Sequence, residues 1–381
     1  MRYLLLSYAY EPGLSADAGG FRKLWELGAA LTRRGESVEV LYPRLPRHRP
    51  LRDVSGRAYA VVDRRLVRPL TAYVSMLAAA LSTRPRPDVV YFRAGRNVLP
   101  VLLRRGLGCR VVLEVNADPL EFMAVEGAGP VARRFARGTL ALSARASDLV
   151  VALTPGLARR LIEDYRVARD RVVVIPSATD TAHFTPVEAA LARRQLALEP
   201  DRPTIGFVGL FYRHQGVPTL LQAMAKLRPR LPRLVALVVG DGAMRPTWES
   251  MARALDLDDA VRFTGQVPYA DVPTYFNAMD VVVAPFTAHR GETSPFKVLD
   301  ALACARPVVA SDLASVRNLA DSGALLLVPP DDASALAEAV AGLLADPVHR
   351  VAMGWKGRGY VERHASWDRV AALLAEALSR P

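Results

Sequence analysis

The sequence predicts an α/β chain built as two Rossmann-like, doubly wound domains, and three observations carry that expectation. Short apolar strands alternate with longer amphipathic stretches, the signature of parallel sheets wrapped by helices. A Pro- and charge-rich stretch from Pro186 to Pro203 separates two halves of similar pattern. At 381 residues, 51% of them apolar, the chain can fill two cores of ordinary size.

In the first half the strands read as 3–7, 38–42, 89–92, 111–115, 149–153 and 172–175. A helix from about Phe21 to Arg34 stops at Gly35, which suits a left-handed cap. In the second half the strands read as 204–208, 235–239, 261–263, 281–284, 308–310 and 325–328. Helices over 218–227, 245–255, 273–278 and 333–345 separate them. This gives domains over 1–185 and 200–362, with the strand ends of both sheets expected to face each other across a cleft.

Composition narrows the function. Two cysteines, Cys109 and Cys304, cannot make a disulfide framework, and beside apolar strands they read as core residues of a reducing compartment. There is no Cys-x2-Cys pair, and the six histidines show no ligand spacing, so no metal is expected. The first apolar run is too short for a signal peptide, and Leu70–Leu81 is too short for a membrane span, so a cytoplasmic protein is expected. Of the net charge of +12, residues 1–190 carry +11, with 29 Lys/Arg against 18 Asp/Glu. Such a basic half could attract nucleic acid, a phosphorylated acceptor or an anionic membrane, or simply be a solvated arginine-rich surface. No aromatic platform, zinc spacing or recognition helix supports nucleic-acid binding.

The most informative stretch runs from Gly291-Glu292-Thr293-Ser294-Pro295-Phe296-Lys297 through Asp300 into the apolar strand at Val308. Ser294 is expected to be an N-cap, with Pro295 at the first helical position. The positive end of the helix, with Lys297 on its first turn, would then be an anion site. From Ser294 to Asp300 such a helix climbs roughly 9 Å, enough for a phosphate at the tip and a sugar hydroxyl further along. A capped helix before a buried strand explains Ser294 and Pro295, but not Glu292, Lys297 and Asp300 together.

This segment resembles the Glu-x7-Glu motif of the retaining family 4 glycosyltransferases with the GT-B fold, in the variant carrying Ser-Pro-x-Lys between the acids. Asp300 stands where the family has its second glutamate. The resemblance covers nearly the whole chain. It implies that residues 363–381, which include Ser366-Trp367-Asp368, form a terminal helix crossing back to the first domain.

Other candidates are placed by the same resemblance. Gly19-Gly20 at a helix start match a phosphate-approach loop, although glycines in a surface turn would look the same; the dinucleotide fingerprint Gly-x-Gly-x-x-Gly is absent there. Arg22 and Lys23 add charge or face water. Asn116 ends a strand where many members have a histidine, and either meets a donor sugar or forms an Asx turn. The segment from Gly209 to Val217 is similar to the phosphate-binding Gly-Arg…Lys-Gly loop, with Arg213 its nearest cation, Gln215 in place of the commoner Lys or His, and His214 a loop residue. Gly240, and Val267 after Gly265, mark strand-end loops that hold the nucleoside through the backbone. Phe296 joins Ser294 and Pro295 as donor-binding, and Ser177-Ala178-Thr179-Asp180 occupies the place of a hinge loop.

The implied activity is metal-independent, retaining transfer of a sugar from a nucleoside diphosphate sugar to an acceptor hydroxyl, with no cofactor. Glu292, Lys297 and Arg213 are the expected catalytic residues, and Asp300 the ribose ligand. The alternatives are a non-hydrolysing sugar-nucleotide epimerase and an inactive nucleotide-sugar-binding homologue. The acceptor is not legible, and a peripheral contact with an anionic membrane is the one further partner the charge suggests.

Overall fold

The computed structural model describes residues 1–7, 19–44, 54–61, 68–94, 99–125, 127–291 and 294–380. The chain divides into two compact units, Met1–Pro176 with Trp367–Pro381, and Ser177–Ser366.

The first unit runs β1 (Arg2–Leu6), α1 (Gly19–Arg33), β2 (Ser37–Pro43), β3 (Ser55–Tyr59), α2 (Arg68–Leu81), β4 (Val89–Arg93), α3 (Leu99–Leu107), β5 (Arg110–Val115), α4 (Pro119–Val125), α5 (Pro130–Ala146), β6 (Leu149–Ala152), α6 (Pro155–Glu163) and β7 (Val172–Val174). Among the described residues its seven strands are all parallel, in the order β3-β2-β1-β4-β5-β6-β7. The central strands read as continuous Val/Leu runs because both sheet faces are covered. Met76 of α2, Leu103 of α3, Leu140 of α5 and Leu157 of α6 share one core cluster with the strands, so these helices pack on one face of the sheet. The edge strand β3 has no counterpart in the sequence expectation. Its residues, Ser-Gly-Arg-Ala-Tyr, carry no apolar run, and the strand is held by its backbone ladder to β2 and by Arg57 pairing with Glu39 at 3.0 Å.

The second unit opens with α7 (Ala189–Gln195) and continues through β8 (Thr204–Val208), α8 (Val217–Leu227), β9 (Val235–Val239), α9 (Arg245–Ala254), β10 (Val261–Gly265), α10 (Val272–Ala278), β11 (Val281–Ala284), α11 (Phe296–Ala303), β12 (Val308–Ser311), α12 (Ala314–Arg317), β13 (Leu325–Val328), α13 (Ala333–Ala345) and α14 (Pro347–His364). The strand order is β10-β9-β8-β11-β12-β13, again all parallel. Chain order reverses between β8 and β11, and in open parallel sheets that switch point, at the carboxyl ends of the strands, is where ligands bind. Among the described residues no helix is long and apolar enough to cross a membrane.

The boundary between units lies at Pro176–Ser177 rather than near residue 185, and the physical reason is burial. Phe184 and Ala192 belong to the second core. Arg193 is buried, with Nη2 2.6 Å from Asp280 Oδ2 and Nε donating to Ala278 O at 2.9 Å. The stretch that reads as a linker is therefore part of the second unit, tied down by charge. The last helix, α15 (Trp367–Ser379), belongs to the first unit and packs on α1, with Arg33 Nη2 2.8 Å from Asp368 Oδ1.

Without Arg193 the Asp280 carboxylate would keep Arg350, 3.2 Å away, as its ion-pair partner, and Ala278 O and Pro200 O would lose their donors. Arg193→Ala should lower unfolding stability by about 3–5 kcal/mol in denaturant titration. A loss under about 1 kcal/mol, typical of an exposed pair, would contradict this account of the boundary.

Candidate active site

At the switch point of the second unit three strand ends lie side by side. Gly209, just after β8, donates its N–H to Val239 O at 2.9 Å, and Gly240, just after β9, donates to Gly265 O at 3.1 Å. The close fit leaves no room for side chains. A Cβ on Gly240, whose φ is +130°, would sit 1.9 Å from Gly209 O, and one on Gly216 1.6 Å from Pro285 O. A Cβ on Gly209 would meet Lys297 Nζ at 2.7 Å. These glycines are needed for close approach, and Gly209 in particular leaves the space that the lysine occupies. Val267 is half-buried beyond the end of β10 and packs on the core of this unit.

Lys297 comes from the first turn of α11. That helix buries Val298, Leu299, Ala301 and Leu302, leaving Lys297 and Asp300, three residues apart, half-buried on its other side. The Lys297 Nζ lies 3.5 Å from the centroid of the Phe207 ring, 5.3 Å from that of Phe286, and donates to Gln215 Oε1 at 2.5 Å. Gln215 therefore does what its sequence position left unclear: it fixes the ammonium. Burial, and then repulsion from Arg290, pushes the pKa of Lys297 well below the usual lysine range. A cation held on aromatic faces beside a second cation gains from any anion that enters.

The second cation is Arg290, which sequence reasoning missed. Its guanidinium stacks over Phe286 at 3.9 Å, donates from Nη2 to Ser294 O at 3.2 Å and from Nη1 to Ser315 Oγ at 3.2 Å. The signal that could have found it is its place in the loop leading to the Ser-Pro-x-Lys segment, two residues before Glu292. Arg213, by contrast, is exposed on a one-turn 3-10 helix over Arg213–Gln215. Of that turn, Gln215 reaches Lys297 and Arg213 does not among the described contacts.

Two local expectations are corrected. Pro295, not Ser294, is the N-cap residue of α11, with no side-chain capping bond. Ser294 is buried and acts through its carbonyl, which accepts from Phe296 N at 3.2 Å and from Arg290. A proline in the cap position closes the turn with a Val298 N–H to Pro295 O bond at 2.9 Å, so the helix starts one residue later. Phe296, its first residue, is half-buried. Glu292 and Thr293 lie outside the described residues. Asp300 accepts a 2.5 Å hydrogen bond from Thr179 Oγ1, in the segment read as a hinge, and Thr179 N–H in turn donates to Ala365 O at 3.0 Å.

In the first unit Gly19 and Gly20 open α1, two residues earlier than expected. Lys23 does not face water: it is buried, 2.9 Å from Glu114 Oε1. Arg93 Nε stands 3.4 Å from the same oxygen, and Tyr91 OH donates to Glu114 Oε2. Burial lowers Lys23 to about 8, opposed by Glu114. Burial alone would raise Glu114, but Lys23 and Arg93 hold it below the usual range. With its amide oriented to satisfy both neighbours, Asn116 donates to Glu114 Oε1 and accepts from Arg93. Asn116 is thus part of this ionic cluster rather than an Asx turn. Cys304 is buried and Cys109 half-buried, and both are free thiols. Among the described residues no three His, Cys, Asp or Glu side chains gather as a metal site would require.

With this geometry in hand, comparison with known proteins is informative. The profile described as Glycosyltransferase Family 4 matches residues 19–183, and that described as Glycosyl transferases group 1 matches residues 202–346. The chain belongs to the family 4 glycosyltransferases and is a glycosyltransferase enzyme. A relative named D-inositol 3-phosphate glycosyltransferase, from Pseudarthrobacter chlorophenolicus, is 27% identical over 96% of this chain and 91% of its own length. A protein of the same name from Kineococcus radiotolerans is 34% identical over 55% of this chain, and that match spans about half, 52%, of the relative. The GDP-mannose-dependent monoacylated alpha-(1-6)-phosphatidylinositol monomannoside mannosyltransferase of Corynebacterium glutamicum is 28% identical over 54% of this chain and 55% of its own. Among solved structures, sucrose-phosphate synthase of Thermosynechococcus elongatus aligns with a TM-score of 0.81 at 24% identity, covering 99% of this chain and 98% of that one. Anabaena HepE, solved in complex with UDP-glucose, aligns with a TM-score of 0.77 at 19% identity, covering 100% and 99%. These likenesses establish the fold as GT-B, two Rossmann-like units.

His214 reports on the charge of this site. Burial, then Arg290 and Lys297, lowers it from 6.5 to about 4. The folded protein therefore holds His214 neutral at pH 7, and that contribution to stability, complete above pH 6.5, is lost as pH falls through about 4. An NMR titration of the imidazole should give a midpoint near 4 in the free protein, and a midpoint near 6.5 would contradict the cationic site.

Proposed function

We propose that the chain transfers a sugar from a nucleoside diphosphate sugar to an acceptor hydroxyl, with retention of anomeric configuration and without a metal. The observation that carries this reading is the paired cation site at the switch point, Lys297 with Arg290, beside the first turn of α11. Charge develops on the departing diphosphate as the glycosidic bond breaks. Lys297, Arg290 and the helix N-terminus supply fixed positive charge to meet it, the role a metal plays in other folds. Arg213, on the turn that also carries Gln215, is assigned to the outer phosphate oxygens. Gly209, Gly240 and Val267 line the nucleoside through backbone groups, and Asp300 takes the ribose, its shorter carboxylate oriented by Thr179.

Glu292 is assigned to the sugar hydroxyls. In the transfer step the anomeric carbon–oxygen bond to the diphosphate breaks and a bond to the acceptor oxygen forms on the same face. The acceptor's proton passes to the leaving phosphate oxygen, so no enzyme nucleophile is required. The relatives' transferase names favour transfer over epimerisation. HepE was solved with UDP-glucose and the Corynebacterium relative is named for GDP-mannose, so the UDP and GDP sugars are the donors to try first.

Lys297→Ala and Glu292→Ala should each lower turnover at least ~10-fold with the unfolding midpoint unchanged. Activity retained by both would remove the assignment. Turnover should survive dialysis against EDTA, and the product should keep the donor's anomeric configuration by NMR. An inverted product, or loss restored by a divalent ion, would contradict the mechanism.

A further inference from the structure

The outward surface of α2, α3 and α5 departs from what a solvated helix layer needs. The three helices pack in sequence, α2 on α3 and α3 on α5, over one face of the first sheet. Their inner sides fill the core, yet their outer sides also carry large apolar residues. Leu70 (67% exposed) and Val74 (58%) project from α2, Leu102 (46%) from α3, and Val131 (82%), Phe135 (63%) and Leu142 from α5. On α5 the three are spaced by four and then seven residues, which stacks them in one stripe opposite the buried Ala136, Leu140 and Ala144. Scattered apolar residues are ordinary on a protein surface, whereas rows on adjacent helices of one layer form a patch.

Charge says what covers it. The segments of α2, α3 and α5 together hold seven arginines and no aspartate or glutamate. On α5, Arg133, Arg134, Arg137 and Arg145 are all exposed; Arg134 and Arg145 flank the apolar stripe, Arg137 donates to Asp164 O at 3.3 Å, and on α3 Arg104 pairs with Asp148 at 3.0 Å. A surface meant for water would mix the two signs, and a protein partner would be read by both. Apolar side chains on helices whose charged residues are all arginines match a bilayer surface, where the tips enter the acyl boundary and the free guanidinium groups meet lipid phosphates. A nucleic acid would use the arginines but has no use for Val131 or Phe135.

We propose that the α2–α3–α5 layer of the first unit docks on an anionic membrane, lying on it rather than crossing it. This inference stands on the first unit alone and does not depend on the donor site.

The test is co-sedimentation of the full chain with vesicles of phosphatidylglycerol and phosphatidylcholine in equal parts, and with phosphatidylcholine alone. The anionic vesicles should hold the protein roughly ten-fold more tightly. Val131→Ser combined with Phe135→Ser should lose most of that binding, and Arg134→Ala with Arg137→Ala should weaken it and flatten its salt dependence. All four positions are exposed, and an unchanged unfolding midpoint keeps a loss of binding from being a loss of fold. Equal binding to neutral vesicles, no binding, or variants that bind like the parent would overturn the proposal. So would a concentration-dependent dimer that Phe135→Ser dissolves, which would make the occupant a second copy of the chain.

Discussion

The site depends on keeping one ammonium group at the carboxyl edge of a parallel sheet, partly out of water. Nothing in a Rossmann-like sheet favours this by itself, since burial pushes Lys297 toward its neutral form. The surroundings are shaped to tolerate the charge. Gly209 leaves the volume, the Phe207 and Phe286 rings offer their faces, and Gln215 supplies one oxygen acceptor. Arg290 works the other way, repelling the lysine, and that leaves the site short of negative charge. A bound diphosphate would supply it, so the same interactions that lower the lysine's pKa would strengthen its grip on a ligand.

Much of this was legible in the chain, for a physical reason. Strands of a sheet covered on both faces must be continuously apolar, so runs such as Val235–Val239 and Val281–Ala284 are found where the sequence places them. The glycine after β9 could be read as a close-approach position, and in the structure a Cβ on Gly240 would sit 1.9 Å from Gly209 O. What could not be read was chemistry assembled across sequence distance. Lys23 and Glu114 are far apart in the chain, and only the sheet brings them within 2.9 Å. Thr179 and Asp300 meet in the same way. β3 escaped notice because an edge strand needs only its ladder, not an apolar run. The offset of α11 by one residue reflects a choice between two neighbouring cap positions that sequence rules separate poorly.

The two units divide the chemistry unevenly. In the second, cations line the switch point and the sheet ends in glycine turns. The first carries most of the chain's positive charge. Inside, it buries an ionic cluster around Glu114, in which Lys23 ties the second turn of α1 to the sheet. Its helices α2, α3 and α5 display arginine and apolar residues, with no carboxylate in their own segments.

The most direct measurement compares the affinities of a nucleoside, its monophosphate and its diphosphate for the parent chain and for Lys297→Met, by calorimetry. If Lys297 holds the phosphate that leaves, the substitution should weaken the diphosphate by roughly ten-fold or more and leave the nucleoside unchanged. Equal losses for all three ligands, or none, would mean that the lysine supports the fold and not the diphosphate.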